Sequence, residues 1–73
     1  MKGVSYFFFQ GYYFVAAASE LLDGYRIPNR IVTAPVKLKN SCSFAVVTET
    51  ADADECRGIF ERHGIVIEQK IDL

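Results

Sequence analysis

The spacing of apolar residues changes several times along this chain, and each change marks the end of one predicted element. Residues 3–9 are aromatic or β-branched at nearly every position, which is typical of a strand buried on both sides. Successive strand residues point to opposite faces of a sheet. The two predicted faces of this first strand are therefore Val4, Tyr6 and Phe8 on one side and Ser5, Phe7 and Phe9 on the other.

Two segments have the composition and spacing of helices. Residues 12–23 are rich in good helix formers, and Gly24 is the predicted stop of this first helix. The second helix is expected to be capped by Thr50 or by Asp52, which approximates a capping box with Glu55, and to stop at Gly64. Its predicted apolar stripe, at helical spacing, consists of Ala53, Cys56, Phe60 and His63.

Two more strands are predicted in the middle of the chain. The second strand covers residues 30–34, because Pro28 disfavours helical geometry before it and Pro35 ends it. A polar, basic loop at residues 36–41 follows. The third strand runs from residue 42 or 43 to residue 48 and is apolar on both sides, as expected of a central strand.

The last strand is predicted at residues 65–71, with Ile65, Ile67 and Ile71 on one face. The order β-α-β-β-α-β is that of an α+β, ferredoxin-like sandwich: a four-stranded antiparallel sheet with two helices on one face. Right-handed crossovers place strand 3 between strands 1 and 2, and strand 4 on the other side of strand 1. With 73 residues, a single domain over residues 1–73 is expected.

Composition and charge exclude several classes of function. The chain is 51% hydrophobic, which supports a dense core without a disulfide framework. Its net charge of −1 argues against general binding to nucleic acid or to an acidic membrane. Gln10 and Gly11 interrupt the apolar start of the chain, so neither a membrane span nor a signal peptide is expected there. Two reduced cysteines fit a cytoplasmic protein.

The charges are unevenly distributed along the sequence. No acidic residue lies between Asp23 and Glu49. All the basic residues of the central region fall in that interval: Arg26, Arg30, Lys37 and Lys39. The middle of the chain therefore has a local positive field, and Cys42 lies within it.

Cys42 is the strongest candidate for chemistry. The predicted topology brings the end of strand 1, the start of helix 1 and the loop between strands 2 and 3 to one edge of the sheet, which places Cys42 near Gln10 and Gly11. A helix N-terminus favours an anion, and Lys37 and Lys39 add positive charge, so the Cys42 pKa is expected below about 8.5. The alternative is that Cys42 is only a small residue at the start of a strand.

The second cysteine and the single histidine are interpreted structurally. Cys56 lies in the apolar stripe of helix 2, where core packing is expected, and no disulfide to Cys42 is predicted because the two lie far apart along the fold. His63 closes helix 2, where its charge would complement the helix dipole; a Cys–His pair is the less favoured alternative. Two cysteines and one histidine match no zinc pattern, so no metal site is predicted.

Several short segments, together with the aromatic first strand, resemble one known family. They are Glu20-Leu21-Leu22 before Ile27-Pro28, then Pro35-Val36, and Asn40-Ser41-Cys42. The chain resembles the selenium/sulfur carrier protein-like family of small bacterial domains. The resemblance implies that Cys42, supported by Ser41, accepts sulfur or selenium as a persulfide-type adduct from a cysteine desulfurase-like or other sulfur-transfer protein. Family members tend to have glycine where this chain has Ser43.

Three functions remain open at this point. The first is a carrier that is not an enzyme in the turnover sense and needs no cofactor. The second is a homodimeric interaction or ligand-binding module that associates through the open sheet face, with Cys42 non-essential. RNA binding is the least favoured, since residues 43–47 in the predicted third strand include no basic side chain beside their aromatic residue.

Overall fold

A computed structural model of the chain describes residues 3–33 and 44–73. The strands are β1 (Val4–Phe8), β2 (Arg30–Thr33), β3 (Phe44–Glu49) and β4 (Gln69–Asp72). The helices are α1 (Tyr12–Gly24) and α2 (Ala53–Arg62), and a 3₁₀ turn, Thr50–Asp52, precedes α2. The order β-α-β-β-α-β is the predicted one. The predicted end of strand 2 at residue 34, and the loop at 36–41, lie outside the described residues.

The four strands form one antiparallel sheet in the order β2-β3-β1-β4. This order confirms the predicted ferredoxin-like α+β topology. Strand β1 is hydrogen-bonded on both sides: Phe7 lies opposite Val46 of β3 and opposite Lys70 of β4. The register of β1 therefore fixes the positions of both neighbouring strands.

The main core lies between the sheet and the two helices. Phe7 and Phe9 point to this side, as the sequence predicts, and both are fully buried. The ring of Phe60, from α2, makes edge-to-face contacts with both, at centroid distances of 5.3 and 5.4 Å. Burial of one such aromatic side chain contributes about 2–3 kcal/mol. The remaining buried members of this core are Val15, Ala18, Leu22, Ile27, Val46, Ala53, Cys56 and Ile59.

A smaller apolar cluster lies on the opposite face of the sheet. Phe8 and Ala45 are fully buried at its centre, and Tyr6, Val32 and Ile71 are half-buried around them. The alternation along β1 is thus the predicted one, because Tyr6 and Phe8 share this face while Phe7 does not.

The last strand begins four residues later than predicted. Strand β4 starts at Gln69, and Ile65 and Ile67 lie in the segment before it, where they pack against the main core. Ile71 packs on the opposite face, so the predicted shared face of the three isoleucines is wrong. The physical reason is the end of α2, where the Ile65 N–H donates to the Phe60 carbonyl at 2.9 Å and takes part in helix termination.

Both helices end in the same hydrogen-bonded motif. At the end of α2, Gly64 is in the left-handed region at φ 74°, and at the end of α1 Arg26 takes that place at φ 62°. The next residue, Ile65 or Ile27, donates back five residues in each case, which is the Schellman pattern. The predicted stop at Gly64 is confirmed. Helix α1 ends at Gly24, one residue after the predicted last residue Asp23, but the left-handed residue of its terminus is Arg26 and not Gly24.

The predicted start and stripe of α2 need two corrections. Asp52 has helical backbone angles (φ −95°, ψ −4°), and no side chain in the described part of the chain caps the helix. The preceding 3₁₀ turn leads directly into α2, so the extended geometry that a capping box needs is absent at this position. The stripe includes Ile59, and His63 is exposed instead of packed in the core.

A polar contact joins strands β1 and β4 to the 3₁₀ turn that follows β3. The Ser5 hydroxyl is buried and donates to Asp72 Oδ1 at 2.5 Å. Thr50 Oγ1 lies 3.1 Å from Ser5 Oγ, and because the single Ser5 proton goes to the carboxylate, Thr50 is the donor in this pair. The hydrogen bond from Ser5, and then that from Lys70, lower the pKa of Asp72.

The left-handed residues at the two helix ends give a matched pair of stability predictions. Arg26→Gly is expected to raise the free energy of unfolding by about 1 kcal/mol, since glycine has no Cβ penalty at positive φ. Gly64→Ala is expected to lower it by about the same amount for the opposite reason. Urea unfolding measures both. A destabilised Arg26→Gly protein would contradict this account of the α1 terminus.

The Ser5–Asp72 contact predicts a pH-dependent stability. A carboxyl group with a lowered folded-state pKa stabilises the fold above its unfolded pKa, near 3.9, and this stabilisation is lost as pH falls through the folded value. The difference in unfolding free energy between the wild type and Ser5→Ala is therefore expected to narrow as the pH falls below about 4. Urea unfolding across this range tests it, and a constant difference would show that Ser5 does not act on the Asp72 titration.

Candidate functional site

The start of helix α1 lies beside the start of strand β3. The ring of Tyr12 contacts the ring of Phe44 edge to face, with centroids 5.2 Å apart. Phe44 is also the residue opposite Thr33 of β2. The end of β1, the start of α1 and the facing ends of β2 and β3 therefore meet at one edge of the sheet, which is the arrangement the predicted topology requires.

The N-terminus of α1 has no side-chain cap among the described residues. Gly11 is the N-cap residue in extended conformation, and its carbonyl accepts from the N–H groups of Phe14 and Val15 at 3.1 and 3.2 Å. The N–H groups of Tyr12 and Tyr13 come earlier in the helix, have no acceptor within it, and point out of the first turn. No acidic residue lies in that turn, so the positive end of the helix dipole is not neutralised locally.

The predicted site residues divide into two groups. Gln10 and Gly11 lie at the edge where α1 and β3 begin, and Gln10 is exposed. Cys42 lies outside the described residues, as do its other predicted supporting residues, Lys37, Lys39 and Ser41.

An exposed aromatic cluster surrounds this edge and was not predicted from the sequence. Its members and their exposed fractions are Tyr12 54%, Tyr13 77%, Phe14 37% and Phe44 38%. A sequence signal was present, since three successive aromatic residues in one helical turn cannot all face the core. Large exposed apolar side chains grouped in this way are typical of a contact surface.

A shallow cavity connects this cluster to the end of α2. It has a volume of about 150 Å³ and is lined by Gln10, Phe14, Gly64 and Val66. Val66 is 78% exposed, so the apolar surface continues from the first turn of α1 to the segment before β4.

His63 precedes Gly64, which lines this cavity, but its side chain contacts Tyr25. Its Nε2 atom is 3.2 Å from the hydroxyl oxygen of Tyr25, and the two rings meet edge to face. Both side chains are exposed. Tyr25 follows the last residue of α1, so this hydrogen bond joins the two helix ends.

Cys56 is a free thiol in the main core, as predicted. Burial raises the pKa of Cys56 to about 11, and the nearby negative charges of Asp52 and Glu55 act in the same direction. A hydrogen bond with Thr48 lowers the pKa of Cys56, but it offsets only part of this rise. A thiol that is buried and protonated at neutral pH is a poor nucleophile, so Cys56 is a packing residue.

Together, the fold and the exposed edge define a small ferredoxin-like α+β domain with an aromatic surface beside a helix start that no described side chain caps. The family model described as "Putative Se/S carrier protein-like" matches residues 5–71, and the chain belongs to this family. No curated protein and no solved structure shows significant similarity to it. Within the described residues, neither helix has the length and apolar character needed to cross a membrane.

The burial of Cys56 predicts selective thiol chemistry. In the native protein at neutral pH, Cys56 is expected to remain unmodified by an alkylating reagent, and to react once urea unfolds the chain. Peptide mapping by mass spectrometry measures the modification at each cysteine. Modification of native Cys56 at the rate found in urea would contradict its assignment to the core.

Proposed function

We propose that this protein carries sulfur or selenium as a persulfide-type adduct on Cys42. The observation that supports this most directly is the state of the other cysteine. The chain has two cysteines, and Cys56 is buried, with its pKa raised to about 11. In a chain of this carrier family, Cys42 is therefore the thiol left to hold the cargo.

The described edge of the sheet supports this choice. Cys42 precedes Phe44 by two residues in the sequence, and two residues of extended chain span at most about 7 Å. Phe44 in turn contacts Tyr12 in the first turn of α1. The proposal is that the amides beside Gly11, which no described side chain caps, stabilise a thiolate, with Lys37 and Lys39 adding positive charge.

The proposed transfer needs no oxidant or cofactor. The Cys42 thiolate attacks the terminal sulfur of a persulfide on a donor protein. One S–S bond forms on Cys42 while the S–S bond of the donor breaks, and the donor cysteine leaves as a thiolate. The proton of the transferred sulfhydryl stays with the terminal sulfur. Selenium would follow the same steps, and delivery to an acceptor reverses them.

The partners of this reaction would be proteins. The proposed donor is a cysteine desulfurase-like or other sulfur-transfer protein, and residues 1–73 would act as one domain in a bacterial cytoplasm, where thiols remain reduced. We further propose that the aromatic cluster is the surface that contacts the donor. Tyr13 is its most exposed member, and aromatic side chains are enriched in protein interfaces.

The second candidate function is an interaction module in which Cys42 is dispensable. The aromatic cluster favours it too, since such a surface could serve binding alone. The open sheet face proposed for a homodimer is less exposed than this cluster, because Phe8 and Ala45 at its centre are fully buried. Retention of all function by a Cys42→Ala protein would favour this alternative.

A loading experiment tests the carrier function. The protein is incubated with a cysteine desulfurase and cysteine, and intact mass spectrometry follows the gain of one sulfur atom. The wild type and Cys56→Ala are expected to gain it, and to lose it again on reduction with a thiol. Cys42→Ala is expected to remain unmodified.

Two outcomes would overturn the proposal. One is a wild-type protein that gains no sulfur although the desulfurase is shown to be active. The other is a gain that persists in Cys42→Ala. A Tyr13→Ala protein that loads more slowly from the desulfurase, but at the wild-type rate from a small persulfide, would separate donor contact from thiol chemistry.

A further inference from the structure

Strand β4 is an edge strand of the described sheet, and its outward backbone groups can be identified. Val4 and Leu73 exchange two backbone hydrogen bonds, at 3.1 and 2.8 Å. Hydrogen-bonded pairs alternate along an antiparallel ladder, so Ile71 is bonded to Tyr6 in the same way. The N–H and C=O groups of Lys70 and Asp72 therefore point away from β1, toward the free side of the edge.

The charges on these two outward residues are opposite. Lys70 Nζ lies 3.1 Å from Asp72 Oδ1, so both side chains project from the same face of β4. Lysine on an edge strand usually opposes pairing with another strand. Here the charge pattern instead makes β4 complementary to itself in one antiparallel register.

We propose that two copies of this chain pair through antiparallel β4 strands, with Ile71 on the two-fold axis. In this register Lys70 of each copy lies opposite Asp72 of the other, and both residues present outward N–H and C=O groups. Each such pair exchanges two backbone hydrogen bonds, which gives four in total. The two four-stranded sheets become one eight-stranded sheet.

Two neighbouring registers also let the outward N–H and C=O groups of the two strands bond to each other, but both are unfavourable. An axis at residue 70 places two Lys70 side chains opposite each other, and an axis at residue 72 does the same for two Asp72 side chains. Like charges directly opposite destabilise a strand pair. The other edge strand, β2, has the cation Arg30 and no acid, so no register of it pairs opposite charges.

Apolar and steric features of both faces agree with this register. Ile71 would meet Ile71 of the second copy as a closely spaced pair, next to the cluster that contains Tyr6 and Phe8. Leu73, which is 61% exposed, would lie beside it. On the helix side, a groove of about 570 Å³ between α2 and the approach to β4 leaves space for side chains of the second copy.

The paired edge is small, so the association is expected to be weak. Stable interfaces bury about 1,200–2,000 Å² in total, which is more than two short strands provide. A concentration-dependent equilibrium between monomer and dimer follows. This inference is independent of sulfur transfer, because it involves neither Cys42 nor the aromatic cluster.

Amide hydrogen exchange of the wild-type protein, measured by NMR at several protein concentrations, tests the register directly. The amides of Lys70 and Asp72 are expected to gain protection as the concentration rises. The Ile71 amide, which is bonded to β1 within one chain, is the internal control and is expected to show no such change. Concentration-independent exchange at residues 70 and 72 would overturn the proposal, whatever the oligomeric state.

Sedimentation of two variants provides a second test. Lys70→Glu is expected to weaken association about tenfold or more, because two attractive pairs become repulsive. Adding Asp72→Lys is expected to restore it by exchanging the charges. Since Asp72 also accepts a hydrogen bond from Ser5, circular dichroism must first show that both variants are folded. A monomeric wild type at millimolar concentration, or a Lys70→Glu protein that associates like the wild type, would contradict the pairing.

Discussion

The burial of strand β1 on both faces is the constraint on which the rest of the structure depends. Phe7 packs under the helices, Phe8 packs on the opposite face, and the backbone between them is bonded to β3 on one side and β4 on the other. Because successive residues of this strand are buried in opposite directions, a shift of one residue would exchange the two faces. The register of β1 therefore determines where every neighbouring segment begins and ends.

The candidate site is a consequence of that register. Since Phe7 is opposite Val46, the chain leaving β1 reaches Gly11 and enters α1 beside the start of β3. The Tyr12–Phe44 contact is the visible result. This edge combines a helix N-terminus that no described side chain caps with exposed aromatic side chains, and the proposed carrier cysteine is two residues from Phe44 in the sequence.

Strong local patterns made the topology and the two faces of β1 predictable. The details of the helix ends, which depend on backbone hydrogen bonds, were less predictable. The Schellman motif at the end of α2 was predictable because Gly64 favours the left-handed conformation. At the end of α1 the left-handed residue is Arg26, which the sequence does not indicate. Its conformation lets the Ile27 N–H reach the Leu22 carbonyl while the Ile27 side chain enters the core. Ile65 resembles a strand residue, yet its N–H completes α2. For the candidate site, the edge position of Gln10 and Gly11 was predicted correctly, whereas the aromatic cluster was not predicted although three successive aromatic residues in the first turn of α1 indicate it.

The central claim is a difference between two thiols in one small chain: Cys56 is buried in the core with a raised pKa, whereas Cys42 is proposed to be the ionised nucleophile. The pH dependence of alkylation at Cys42, followed by peptide mapping of the native protein, tests it most directly. A midpoint clearly below the ordinary cysteine value of about 8.5 is the expected result. A midpoint at or above that value would contradict the proposed stabilisation of the thiolate.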